Sequence, residues 1–184
     1  MARWVAAGLI FLASTLPAGI FADQKDPRLD RLFDRLRATE SPAESEFIEY
    51  RIWEIWGEST DRQANLLMAR GSAALDRREL RAALATFDEL IKQAPDFAEA
   101  WNKRATIYYL LGRIDESVRD VRRTLALEPR HFGALSGLGL IYMGLENDLS
   151  AIEAFEAALK LHPNIAGVKA NLETLVRRQR GRNI

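Results

Sequence analysis

The chain has 184 residues, enough for one domain of ordinary size, with 26 basic and 26 acidic side chains and a formal net charge of zero. That balance argues against a general polyanion binder. There is no cysteine, which excludes disulfides and thiolate metal sites, and there are only two histidines, His131 and His162.

Residues 1–22 read as an export signal. Arg3 supplies the positive end, Trp4 to Leu16 is mostly apolar, and Pro17 and Gly19 break the helix. Ile20-Phe21-Ala22 is an acceptable cleavage end before Asp23. The rival reading is an uncleaved anchor, since Trp4 to Ala22 is nearly long enough to span a membrane. Either way Arg3 stays on the cytoplasmic side and the body crosses, which places it in the periplasm. The residue after the cut is not cysteine, so a lipid-anchored lipoprotein is excluded.

Residues 23–61 hold a helical pair. Asp26-Pro27 starts the first helix, with a stripe of Leu29, Leu32, Phe33 and Leu36. Ser41-Pro42-x-Glu44 starts the second, whose apolar residues are Phe47, Ile48, Ile52, Trp53, Ile55 and Trp56. Two readings stand: a cap on the region that begins at residue 62, or a degenerate copy of the unit found there. Gly57 to Asp61 reads as a short linker.

From residue 62 the chain becomes periodic. Pro95, Pro129 and Pro163 recur every 34 residues. Leu67, Trp101 and Leu135 keep the same step, as do Gly71, Ala105 and Gly139, and Phe87, Val121 and Phe155. Within the last copy Leu135, Leu138 and Tyr142 form one helical stripe, and Ile152, Phe155, Ala158 and Leu159 a second. Gly139 and Ala151 are small where two helices would cross, and Pro163 ends the hairpin. The middle copy opens on Asp96-x-x-Glu99, a capping pattern, and turns at Gly112. One hairpin buries its stripe on one side only, so the copies must stack.

After Pro163, Asn164 can cap a last helix carrying Val168, Leu172, Leu175 and Val176 on one face. Its end holds Arg177, Arg178, Arg180 and Arg182, which suit the negative end of a helix dipole. A weak contact with anionic lipid is the other use open to them.

Leu135, Leu138-Gly139, Tyr142, Ala151, Phe155, Ala158 and Pro163 fall where a tetratricopeptide repeat has its large residue, Leu-Gly pair, aromatic, small residues and closing proline. Trp101, Ala105, Tyr108, Ser117, Val121 and Pro129 repeat that order, and Gly71, Ala83, Phe87 and Pro95 repeat it more weakly. The chain therefore resembles an exported protein with three tandem tetratricopeptide repeats. The resemblance implies an all-α fold, a short right-handed solenoid with repeats at 62–95, 96–129 and 130–163, and a closing helix in 164–184. It also implies a non-enzymatic scaffold whose concave groove holds a segment of another protein.

The groove places carried over from the family are Asn65, Met68, Ser72 and Leu75 in the first repeat. In the second they are Glu99, Asn102, Lys103, Thr106 and Tyr109, and in the third Gly133, Ser136, Gly137, Leu140 and Met143. Asn102 could hold a peptide backbone through its amide, and the methionines could adapt to apolar side chains. Gly133 and Gly137 share one helix face; they read either as a smooth strip for another backbone or as a locally weak helix. A subset of the family clamps chaperone tails by their carboxylate. In this chain the clamp places hold Met68, Ser72, Lys103, Gly133 and Gly137, and only Lys103 matches, so that receptor is not expected.

No nucleophile stands with a base and an orienting group, so no enzyme is expected, nor any cofactor, metal or nucleic-acid site. The second function class in view is a membrane- or polymer-associated envelope protein using a retained N-terminal helix and the arginine tail.

Overall fold

The computed structural model describes residues 25–182. The expected signal over residues 1–22 and its cleavage lie outside them. Nine helices occur among the described residues: α1 (Arg28–Ala38), α2 (Pro42–Gly57), α3 (Arg62–Asp76), α4 (Leu80–Gln93), α5 (Ala98–Leu110), α6 (Ile114–Leu127), α7 (Phe132–Gly144), α8 (Asp148–Leu161) and α9 (Val168–Arg182). The fold is an all-α solenoid of helical hairpins, α3–α4, α5–α6 and α7–α8, stacked in chain order.

Local chemistry fixes the helix ends. The Ser41 hydroxyl accepts from the Glu44 amide, with Pro42 at the first helical position. Asp61 caps α3 by accepting from the Gln63 amide, and Asn147 caps α8 by accepting from the Ser150 amide. The turn inside each hairpin contains one left-handed residue: Arg78 (φ 58°), Gly112 (φ 72°) and Glu146 (φ 57°). These stand one repeat apart, and only Gly112 adopts that conformation without a Cβ clash.

Each hairpin closes by matching sizes across its crossing. Gly71 faces Phe87, and a Cβ on Gly71 would lie 2.8 Å from that ring. Gly139 faces Phe155, at 2.4 Å by the same measure. In the middle hairpin both partners change together: Ala105 and Val121 share a buried cluster. The larger residue on one helix is thus met by the smaller on the other, as close packing demands.

The hairpins are held together by apolar burial and by ion pairs within and between them. Arg104 on α5 reaches Asp120 on α6 (2.6 Å) and Asp88 on α4 (2.7 Å), and lies over the Trp101 ring. At the far end Val168 and Leu175 of α9 pack with Ala151 and Phe155, and Arg178 holds Asp148 at 2.9 Å.

The α1–α2 pair sits where the sequence did not point. A cap would cover the first repeat, yet Leu66 on α3 remains 56% exposed. The pair instead lies across the ends of the second and third repeats. Leu29, Phe33, Leu36, Ile48, Ile52, Ile55 and Trp56 enclose Phe132, with Leu161 and Ile165 packed alongside. Arg130 bonds Asp30 (2.7 Å), His162 bonds Glu49 (2.9 Å), and the Asn164 side chain donates to the Thr39 carbonyl (3.2 Å). The aromatic face of the pair, Phe33, Trp53 and Trp56, meets the Phe132 ring at the start of α7.

The size matching is testable. Gly139→Ala should destabilise the protein by about 1–3 kcal/mol, because the added methyl meets the Phe155 ring. Adding Phe155→Val, which copies the middle repeat, should recover part of that loss. Thermal melts of the two variants read it; an unshifted midpoint for Gly139→Ala would reject the constraint.

Candidate functional site

The helices α3, α5 and α7 lie side by side and line one face of the solenoid, each touching the next. Between α5 and α7 that face opens into a pocket of ≈ 120 Å³. Asn102, Ala105, Thr106 and Tyr109 form one wall, Gly133, Gly137, Leu140 and Ile141 the other, and Ser117 and Val121 of α6 contribute the rest of the lining. No charged side chain lines it. A Cβ on Gly137 would meet nothing within 4 Å, so the wall is low there by lack of a side chain. Tyr109 and Leu140 are each 42% exposed at the rim.

Beside the pocket lies a buried carboxylate. Glu99, in the first turn of α5, is only 2% exposed. Its Oε2 accepts from His131 Nε2 (2.9 Å) and from the Asn102 side-chain amide (3.0 Å), and Lys103 Nζ stands 3.3 Å from Oε1. His131 Nδ1 in turn accepts from the Ala134 amide (3.1 Å), capping α7. That bond leaves Nε2 to donate, so His131 links the starts of α5 and α7. Burial alone would push the Glu99 carboxyl up; the His131 hydrogen bond, the Lys103 charge and the Asn102 amide outweigh it and hold it below the ordinary value.

The α2 helix closes one end of the groove. Trp56 stacks on His131, centroids 4.2 Å apart and planes 10° apart. Trp53 lies over Gly133, where a Cβ would stand 2.5 Å from the ring. Gly133 therefore has a packing role within the chain, unlike Gly137.

The residues expected in the groove divide. Asn102, Thr106, Tyr109, Gly133, Gly137 and Leu140 are brought together. Lys103 lies beside them, paired to Glu99. Three are committed elsewhere. The Asn65 amide holds both the N–H and the carbonyl of Ser59 and pins the linker. Met68 is buried in the core of the first hairpin, and Met143 packs towards α8 and α9. Ser72 is half-buried with its hydroxyl directed at the Met68 sulfur, and the Ser136 hydroxyl donates to the Phe132 carbonyl. The Asn102 side chain donates one amide hydrogen to Glu99 and also lines the pocket, and its carbonyl oxygen is not used by that bond. Trp53, Trp56 and His131 were not expected at the groove. The signal available for them was two tryptophans three residues apart on one helix, beside a partner helix with a single aromatic, Phe33.

Among the described residues no three His, Asp or Glu side chains converge to hold a metal, and no helix is long and apolar enough to cross a membrane.

The hairpin geometry, the repeated crossing pairs and the one-sided groove define a helical-repeat protein. The chain belongs to the tetratricopeptide repeat family, whose profile matches residues 68–121 and 111–164. It is 35% identical over 168 residues to a TPR repeat-containing protein of Rhizobium etli, covering 84% of this chain and 82% of that one. It is 30% identical over 104 residues to an Hsp70-Hsp90 organizing protein of Triticum aestivum, covering 56% of this chain but only 18% of that much longer relative. Among solved structures it is similar to the Sgt2 TPR domain of Aspergillus fumigatus, with 25% identity, a TM-score of 0.62, and 67% and 83% of the two chains covered. It has the same fold as the first TPR of Spaghetti (RPAP3) bound to the HSP90 peptide SRMEEVD, with 21% identity, a TM-score of 0.61, and 65% and 95% covered.

Acid tests the buried network. Glu99 and Glu49 both titrate below their ordinary value of 4.5 in the folded chain, Glu49 chiefly through its bond to His162. A carboxyl lowered on folding stabilises fully above its unfolded value and loses that contribution as pH falls through its folded value. The melting midpoint should therefore be insensitive to these groups down to about pH 5 and fall below about pH 4.5. Glu99→Ala should cost about 3 kcal/mol at neutral pH, since buried donors lose a charged acceptor. Glu99→Gln should cost less and remove part of the acid-dependent fall. Melts recorded against pH check this; a profile identical in the parent and Glu99→Gln would show that Glu99 does not carry it.

Proposed function

We propose that this protein is a non-enzymatic, protein-binding scaffold of the bacterial periplasm, which holds a short segment of a partner in the pocket between α5 and α7. The observation that carries the reading is the pocket itself: open, uncharged, low-walled at Gly137, and placed on the face that α3, α5 and α7 share. A neighbour of the same fold has been solved with a peptide bound, which supports a peptide segment as the kind of ligand. The location rests on the charge and apolar pattern of residues 1–22.

The ligand chemistry differs from that neighbour's. The peptide SRMEEVD is acidic. Of the clamp places in this chain only Lys103 is cationic, and its ammonium already stands 3.3 Å from Glu99. A chaperone-tail carboxylate has no matching site here. The proposed ligand is a neutral segment that offers an aliphatic side chain to the pocket and a backbone N–H to the Asn102 carbonyl oxygen.

Pull-down from envelope extract with residues 23–184, followed by mass spectrometry, finds the partner. Gly137→Leu should then bind it more weakly while melting no lower than the parent, because the position is open and Gly is a poor helix former. Asn102→Ala should weaken binding by about 1 kcal/mol. If both variants bind as tightly as the parent, the pocket is not the site. Sequencing the exported protein tests the location: the mature chain should begin at Asp23, and an intact Met1 or Ala2 on a membrane-bound form would overturn it.

A further inference from the structure

Trp53 stands at the edge of the open pocket, over Gly133, which also lines that pocket. Its ring faces the Lys103 ammonium at 5.9 Å, and its Nε1 donates to Glu49 (3.2 Å). The chain has thus placed one of its own aromatic side chains on the surface that a partner would use.

Among the described residues three buried side-chain polar atoms find no partner within the protein: Ser45 Oγ, Trp56 Nε1 and His162 Nδ1. Two belong to α2, and the third belongs to the histidine that Glu49 of α2 holds. None falls between one repeat and the next. The pair also meets the array over shorter stretches, α1 against α8 and α2 against α5, than those along which successive hairpins meet each other.

We propose that the α1–α2 pair is a displaceable occupant of the groove, and that Trp53 fills an aromatic subsite over Gly133 which an incoming segment takes over with a flat aromatic side chain of its own. This rests on the protein-binding reading of the pocket and adds its regulation. The absence of a side chain at Gly133 makes room for a ring, and Lys103 supplies a cation over its face. A segment with only aliphatic residues stays in the pocket between α5 and α7. One with an aromatic residue at the right spacing also displaces Trp53, so its binding and release of the pair are linked.

Hydrogen exchange on the whole chain tests the displacement. At neutral pH the amides of residues 42–57 should exchange roughly tenfold faster than those of 98–110, through openings that spare α5. Trp53→Ala should speed 42–57 further and leave 80–93 unchanged. It should also vacate the subsite, so N-acetyltryptophanamide binds Trp53→Ala saturably by NMR and does not bind the parent. Adding Gly133→Leu should abolish that binding; N-acetylleucinamide, which should not bind Trp53→Ala, is the control that needs no second substitution. One common exchange rate for 42–57 and 98–110, or failure of the tryptophan probe to bind Trp53→Ala, would overturn the proposal. None of these readouts needs an external partner. A failed pull-down would therefore count against the scaffold reading alone, and a partner whose aromatic side chain is needed for binding, yet which leaves exchange in 42–57 unaltered, would count against the occupant alone.

Discussion

A carboxylate enclosed at the start of a helix cannot be left unpaired, because an isolated buried charge is far too costly. Glu99 is such a group, and the way it is satisfied organises its surroundings. His131 must come close enough to donate, which fixes the start of α7 relative to the start of α5. Once fixed, the imidazole presents a flat face on which Trp56 stacks, and Phe132 is delivered into the aromatic cluster of the α1–α2 pair. Asn102 and Lys103, on the next turn of α5, are drawn to the same carboxylate. The spacing of two repeats, the seat of the N-terminal pair and the chemistry of one groove wall therefore share a single polar centre.

The repeats were legible because their packing is periodic. Each crossing pair recurs at a fixed step, so Gly71, Ala105 and Gly139 declare themselves without any knowledge of the fold. The seat of α1–α2 was not legible for the opposite reason. Its partners, Phe132, Leu161 and Ile165, lie far along the chain and occur once, so no internal comparison exposes them. Glu99 is misleading in a related way. At the sequence level it is the far member of a capping pattern; in the fold its carboxylate is the acceptor for His131. Both histidines, incidental turn residues by sequence, turn out to link elements.

The groove shows the same division. Positions in the middle of α5 and α7 could be carried over because neighbouring helices keep them facing outward. Asn65 and Met143 sit near the ends of the array, where the linker and the closing helix compete for them. Met68 is drawn into the first hairpin's core by its own apolar side chain. Family position predicts orientation well where no linker, closing helix or hairpin core competes for the side chain.

The paired crossing residues bear on how such a chain can change over generations. Phe87 opposite Gly71 and Val121 opposite Ala105 are two solutions to one volume, and each is complete within its own hairpin. A genetic exchange with its joints at Pro95 and Pro129 moves a whole solution. One with a joint at Gly112 would join Ala105 to a phenylalanine or Gly71 to a valine, giving a clash or a void. Recombination is thus tolerated at the prolines and punished at the glycine turn, although both are surface turns and look equally permissive in sequence.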